Sequence, residues 1–345
     1  MKNLIVSIDF QQIELVLIGE FSGDPAFAEA YGQIPFSDLH LTAACAVTSA
    51  LNDYPVKKEE FKKLKLGDNP FPFTLLDTKG NELPPDKFYG FMRGTAGGKG
   101  ANFEFWYSRW LANLGQRWNL HPTQTQVLVE AYIKEFETGV RWRDETINMA
   151  RITGYVELPD GHRRVKHEAT PLWKAFMQGY FQQHGERFNQ EDAAAVRHFG
   201  NLVIRKVQTR AGNQLINALI QGSCATLAKR SLLRIMAKVK ELGLHVRFLQ
   251  PIHDELVFSV RADEVWDFIV MAKAIMADHP TIIKNLKINS TASVGRTFQA
   301  WDALKSPLGQ IELDEAPKAS FIPPEFFGKA LPKEAANDVI MRLAA

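Results

Sequence analysis

The 345-residue chain has only two cysteines, Cys45 and Cys224. Two thiols build neither a disulfide framework nor, alone, a zinc site, and such sparse use points to a reducing, cytoplasmic setting. No apolar run approaches the ~20 residues that a membrane-spanning helix needs, and the N-terminus carries no signal-peptide pattern, so no membrane is expected among the partners. Internal repeats and low-complexity tracts are missing as well. A further absence is local. From Ala193 to Lys240 there is no Asp or Glu, while nine Lys or Arg occur, in a chain whose net charge is only +2. A block of one sign in a near-neutral protein fits a polyanionic partner and a solvated basic helix face equally well.

What is present describes a globular protein. Hydrophobic residues make up 46% and charged residues 23%, which excludes collagen-like, mucin-like and disordered classes and leaves room for two or three subdomains. A β run, Leu4 to Ile8, ends at Asp9. A helical pattern follows, with Ile13, Val16, Leu17 and Phe21 on one face and Gly23 closing it. Residues 46–90 combine a charged stretch with Pro70, Pro72, Pro84 and Pro85 and suggest an insertion. Residues 102–150 and 165–240 read as helical, with a hairpin between them from Gly154 to Arg164. Val246 to Leu249 and Leu256 to Val260 are β runs flanking Pro251-Ile252-His253-Asp254-Glu255, and Lys287 to Val294 offers another strand. A short helix is expected from Lys333 to Leu343.

Three constellations could carry chemistry. Asp9 and Asp254 both stand at strand ends, and if their strands share a sheet the two carboxylates meet at one edge. Mg²⁺ favours such oxygen donors together with substrate phosphates, although surface turns often carry acids for no such purpose. Lys99, Phe103 and Tyr107 share a helix face by their spacing of four. A lysine near a helix start suits phosphate oxygens and the aromatics suit a nucleobase, while a core-facing stripe has the same spacing. Asn217 and Gln221, near Lys229 and Arg230, form a polar helix surface able to meet minor-groove acceptors and phosphates.

Together these segments resemble family A DNA polymerases, the polymerase I type. Asp9-Phe10-Gln11-Gln12-Ile13-Glu14-Leu15, with Ser22-Gly23-Asp24 and Asp38-Leu39-His40 after it, resembles motif A. Lys99-Gly100-Ala101-Asn102-Phe103 and Tyr107 resemble motif B, and Ile252-His253-Asp254-Glu255-Leu256 resembles motif C. Gly154-Tyr155-Val156 before Arg163-Arg164, Asn217 to Gln221-Gly222 before Lys229-Arg230, and Val294-Gly295 to Trp301 follow in the family's order. The resemblance covers about residues 4–304, with insertions near 46–90 and 165–205.

The resemblance implies an α+β fold: a polymerase palm with a small antiparallel sheet and helices, plus largely helical fingers, with thumb and exonuclease domains absent. It divides the chain into a first palm segment (1–45), an insertion (46–87), fingers (88–209), a second palm segment (210–304) and a C-terminal extension (305–345). It implies a DNA-directed DNA polymerase that adds deoxynucleotides to a primer 3′-hydroxyl by two-Mg²⁺ phosphoryl transfer. Asp9 and Asp254 would hold the two ions, with the Phe10 carbonyl and Glu255 as auxiliary ligands. Lys99 would serve the triphosphate and protonate the leaving pyrophosphate. Glu14 would be the steric gate against a 2′-hydroxyl. Phe103 and Tyr107 would border the nucleotide, Phe103 standing where a tyrosine would admit dideoxynucleotides. His253 would meet the primer terminus, Asn217 and Gln221 the minor groove, and Arg163, Arg164, Lys229 and Arg230 the backbone of primer-template DNA.

The departures carry information too. Thr95 stands four residues before Lys99, where the family usually has arginine, and Arg93 lies six before it; the stretch from Gly94 to Gly98 is either a loop that lets Arg93 reach the nucleotide's phosphates or a degraded site. Ser108 replaces the glycine that usually follows Tyr107. Motif A at residue 9 leaves no preceding thumb, so the chain resembles the C-terminal half of a split, phage-type polymerase acting in the host cytoplasm, with a second polypeptide supplying thumb and exonuclease and the C-terminal extension helping to dock it. Two other functions share these residues: a single-subunit-type RNA polymerase fragment, and a catalytically silent DNA-binding subunit.

Overall fold

Period-two alternation builds the first element. Along Asn3–Phe10 (β1), Leu4, Val6, Ile8 and Phe10 are buried to 2% exposure or less, whereas Asp9 on the opposite face is exposed. The computed structural model describes residues 2–108, 112–165, 193–300, 302, 305–306, 308–315, 318 and 322–345, with 108, 112–114, 151, 165 and 193–211 as backbone. After β1 come α1 (Ile13–Ser22), α2 (Pro25–Tyr31), α3 (Leu39–Asn52), α4 (Lys58–Lys63), α5 (Pro85–Arg93), α6 (Gly98–Ser108), α7 (Ala112–Arg117), α8 (Pro122–Glu135) and α9 (Glu137–Thr153). The hairpin β2 (Tyr155–Glu157) and β3 (Arg163–Val165) precedes a helix of 50 residues, α10 (Ala193–Leu242). Then follow β4 (Val246–Ile252), β5 (Glu255–Arg261), α11 (Val265–Ala277), β6 (Ser290–Gly295), β7 (Ile311–Glu312) and α12 (Lys333–Ala344).

The described residues form two compact units. One comprises residues up to Glu20, Tyr31–Pro35 and Gln221–Ala345; the other comprises Phe21–Ala30 and Phe36–Ile220. The first holds a five-stranded antiparallel sheet in the order β4-β5-β1-β6-β7. Its buried face carries Val6 opposite Phe258 and Val294, and Ile8 opposite Leu256 and Ala292. Phe268 of α11 packs edge-on against Phe258 with ring centroids 4.9 Å apart. Burial of each such large side chain contributes about 1.5–3 kcal/mol. The outer strand β7 and helix α12 come from the C-terminal extension, and α12 packs on β1, β6 and α11.

In the second unit an aromatic core holds α6, α8 and α2 together: Trp106 and Phe136 each meet Phe27 edge-on, and Tyr132 lies 4.8 Å from Phe136. Asp24, buried, accepts the Ala26 N–H at 2.9 Å and the Gly139 N–H at 2.7 Å, which fixes the start of α2 against α9. Residues 54–91 carry their own aromatic cluster around Phe61, Phe71 and Phe88. Helix α3 runs through residue 45, because Asp38 caps its start by accepting the His40 and Leu41 N–H groups and Asp53, in a left-handed conformation, ends it. The expected one-faced helix after Asp9 is instead buried nearly all round at Ile13, Leu15, Val16, Leu17 and Ile18, since its residues are too uniformly apolar to leave a polar face for water. The expected helix over 165–192 lies outside the described residues apart from Val165, which ends β3.

The glycines before motif B have a packing cause. A Cβ on Gly98 would stand 2.0 Å from the His40 carbonyl oxygen and 2.6 Å from the Ala44 nitrogen, so α6 starts in backbone contact with α3. Gly98→Ala should therefore destabilise the protein by at least ~2 kcal/mol in urea unfolding, because only backbone movement relieves the clash. Gly90→Ala, within α5 and with no atom within 4 Å of its Cβ position, should be neutral or stabilising.

Candidate active site

Antiparallel pairing assembles the acids of the sheet unit. Asp9 lies opposite Glu255 across the β1–β5 ladder, one residue from Asp254 in the turn that joins β4 to β5. That turn is two residues long, and His253 takes a left-handed φ of 55° to make it. Although solvent reaches Asp9, the surrounding protein strips much of its hydration. That loss, then the charges of Asp254, Glu255 and Glu312, push its carboxyl from 3.8 up to about 7. Burial likewise raises the Asp254 carboxyl, opposed by a backbone hydrogen bond and by His253. Crowded carboxylates that raise one another favour a bound cation, and the donors here are the hard oxygens that suit Mg²⁺. Among the described residues no group of three or more His, Cys, Asp or Glu forms a cage for a metal.

Glu14 sits in the first turn of α1, half-buried, and both it and Asp254 act on the Cys224 thiol, which burial foremost and then these two charges push up. The structure thus brings Glu14 to the acids' side of the unit. Phe10 is a core side chain, leaving only its backbone for ligation. Of the basic residues, Lys229 is exposed and Arg230 donates to Thr281 Oγ1 at 3.2 Å; Arg234 and Lys238 are engaged with Asp278 and Glu241. Gln221 is exposed.

In the helical unit, Lys99 occupies the first turn of α6, exposed, with Nζ 5.8 Å from the Phe103 ring centroid. Phe103 stacks on Tyr107 at 6.0 Å and on His40 at 6.2 Å. Nothing in the sequence gives His40 a role beyond its place in the Asp38-Leu39-His40 triplet. Its Nδ1 meets Asn102 Nδ2 at 3.1 Å, and Asn102 Oδ1 accepts the Tyr132 hydroxyl at 2.5 Å. This buried chain fixes the ring beneath Phe103. Arg93 is bound through Nε to the Asp38 carboxylate, the same group that caps α3. The carbonyl of Thr95, where the family's arginine would stand, accepts from Arg117 Nη1 at 3.4 Å. Arg163 pairs with Glu157 at 2.8 Å and lies over Tyr155, and Arg164 is exposed. The Asn217 Oδ1 is buried without a hydrogen-bond partner among the described residues. The basic residues from Arg197 to Arg210 lie where only backbone is described.

A sequence model of DNA polymerase family A matches residues 77–301. The mixed architecture seen here, helices with a small antiparallel sheet, is that of a solved polymerase domain, the POL domain of Pol1 from M. smegmatis in complex with DNA primer-template and dNTP. The likeness has a TM-score of 0.59 at 20% identity and covers 86% of this chain and 40% of that one. With a family match over well more than half its length, the chain belongs to DNA polymerase family A. Among named relatives it is similar to the DNA polymerase I of Chloroflexus aurantiacus (24% identical over 304 residues, 88% of this chain and 24% of that protein). It is also similar to the thermostable DNA polymerase I of Thermus filiformis (23% over 273 residues, 79% and 24%). The chain thus spans about a quarter of the length of these relatives. No helix among the described residues is long and apolar enough to cross a membrane.

His40 also sets a pH response. Burial above all, helped by Arg93 and Lys99 and opposed by Asp38, lowers its imidazole from 6.5 to about 4. The unfolded chain therefore takes up this proton at a higher pH than the folded one, so the stability it confers is full above pH 6.5 and is lost as pH falls toward 4. His279, also lowered to about 4 by burial, adds a parallel loss. Urea unfolding at pH 7 and pH 4 should show the decline, and His40→Gln should reduce it by on the order of 2 kcal/mol.

Proposed function

We propose that this chain is the palm-and-fingers portion of a template-directed DNA polymerase, extending a primer 3′-hydroxyl with deoxynucleotides. The observation that carries this reading is the β1–β5 ladder, which sets Asp9 beside Glu255 and the Asp254 turn. Asp9 and Asp254, with the Phe10 carbonyl and Glu255 as auxiliaries, would hold two Mg²⁺. Bound there, the ions would supply the charge neutralisation that phosphoryl transfer needs. Lys99, at the positive start of α6, would bind the triphosphate and give a proton to the departing pyrophosphate. Phe103, held from below by His40, would offer its face to the nucleotide, with Tyr107 next along the stack. Arg93 would act through Asp38, since its Nε is already committed there. Glu14 would exclude a 2′-hydroxyl by bulk. His253 would face the primer end, with Asn217, Gln221, Arg163, Arg164, Lys229 and Arg230 along the duplex. The exposed outer strand β4, with Leu249 43% exposed, is a sheet edge open to a neighbour.

The catalytically silent DNA-binding alternative draws support from one feature, the diversion of Arg93 to Asp38. Primer extension in the presence of Mg²⁺ decides between the two. Extension by the unaltered chain that falls at least ~10²-fold in Asp9→Ala and Asp254→Ala supports the polymerase. DNA binding without extension in any sample leaves the silent reading. Glu14→Ala should lower the preference for dNTP over rNTP at least ~10-fold, since a steric gate costs nothing once its bulk is gone; an unchanged ratio would remove Glu14 from that role.

A further inference from the structure

The fifth strand of the sheet lies beyond residue 301, where the family match ends. β7 pairs antiparallel with β6, placing Glu312 opposite Ser293 and Ile311 opposite Val294. Ser293 in turn lies opposite Ser7 of β1, two residues before Asp9. Side chains alternate across a strand, and Ile311, Val294 and Val6 all belong to the buried face. Glu312, Ser293, Ser7 and Asp9 therefore share the other one. Two strand spacings and one diagonal step put the Cα atoms of Glu312 and Asp9 about 12 Å apart.

The segment is firmly attached. Gln310 Nε2 donates to the buried Ser7 Oγ at 2.7 Å, and the Leu313 N–H continues the ladder to the Ala292 carbonyl at 2.9 Å. Asp314 accepts the Ala292 N–H at 2.9 Å and pairs with Lys273 at 2.7 Å. Glu312 itself is half-buried beside Asp314 and Glu315.

We propose that Glu312 is a positioning residue of the active centre: a carboxylate, supplied by the C-terminal extension, whose charge strengthens divalent-cation binding at Asp9 without ligating the ion. The proposal rests on reading Asp9 as a cation ligand, and it deepens that reading. With β6 and its Ser293 standing between β7 and β1, Glu312 acts on an ion at Asp9 through its field. Attraction between one negative charge and a doubly charged ion at this range amounts to a few-fold in affinity at low salt and fades as the screening length drops below the separation.

Mn²⁺ binding to the full chain, followed by electron paramagnetic resonance at low and high salt, tests this. Five proteins are compared: unaltered, Asp9→Asn, Glu312→Gln, Glu312→Asp and Glu334→Gln, the last removing an equal charge from the exposed first turn of α12. The expected result is a Kd raised about two- to fivefold in Glu312→Gln at low salt, restored in Glu312→Asp and unchanged in Glu334→Gln, with the shift shrinking at high salt. If the unaltered chain binds no Mn²⁺, or Asp9→Asn binds as tightly, the cation-site reading itself fails. If Asp9→Asn loses binding while Glu312→Gln keeps the unaltered Kd, only the role of Glu312 is overturned. A Glu312→Gln defect of equal size at high salt would mark a disturbed strand and overturn it too.

Discussion

The sheet unit turns on one electrostatic constraint, the crowding of carboxylates that the β1–β5 ladder enforces. Burial of Leu4, Val6, Ile8 and Phe10 on one face leaves no choice of register, because a slip of one residue would send this whole set into water and Asp9 into the core. The hydrophobic pattern thus fixes where Asp9 points, and the ladder fixes what it meets. Glu255 lies opposite and Asp254 one residue further, and loss of hydration first, then these neighbouring charges, raises the Asp9 carboxyl to about 7. Such an arrangement costs stability in the isolated protein. Strain of this kind concentrates where a fold serves a function.

The helical unit solves a complementary problem by packing. Lys99 and Phe103 are exposed, and a side chain exposed on both sides cannot hold one orientation. Phe103 has His40 on one side and Tyr107 on the other, and His40 is kept neutral and immobile by Asn102 and Tyr132. A charged imidazole in that position would repel Lys99, so its lowered pKa serves the placement of the cation above it.

Much of this is legible in the sequence because the signals are local. The strand ending at Asp9, the turn around Asp254, the hairpin before Arg163 and the short helix near the C-terminus follow from periodicity and turn residues over a few positions, and all are observed. The motif spacings lead to family A, and the family match agrees. What escapes is set by long-range pairing. Nothing near Arg93 announces that Asp38, 55 residues earlier, holds its guanidinium. Gly97 and Gly98 resemble a flexible loop, whereas their missing side chains let α6 lie on Met92 and on the backbone of α3. His40 stands within a recognisable motif, yet its stack on Phe103 depends on how α3 and α6 cross.

The C-terminal extension shows the same limit most clearly. Its sequence is loosely patterned, and β7 has only two residues, too short for any alternation to register. Its position is determined by what β6 leaves open: an unpaired edge whose N–H and C=O groups must find partners or remain in water. Once Ile311 enters the buried face beside Val294, the next side chain has to emerge on the face of Asp9. A segment beyond the family match is thereby drawn into the electrostatics of the acids, through the same alternation that placed Asp9 in the first strand.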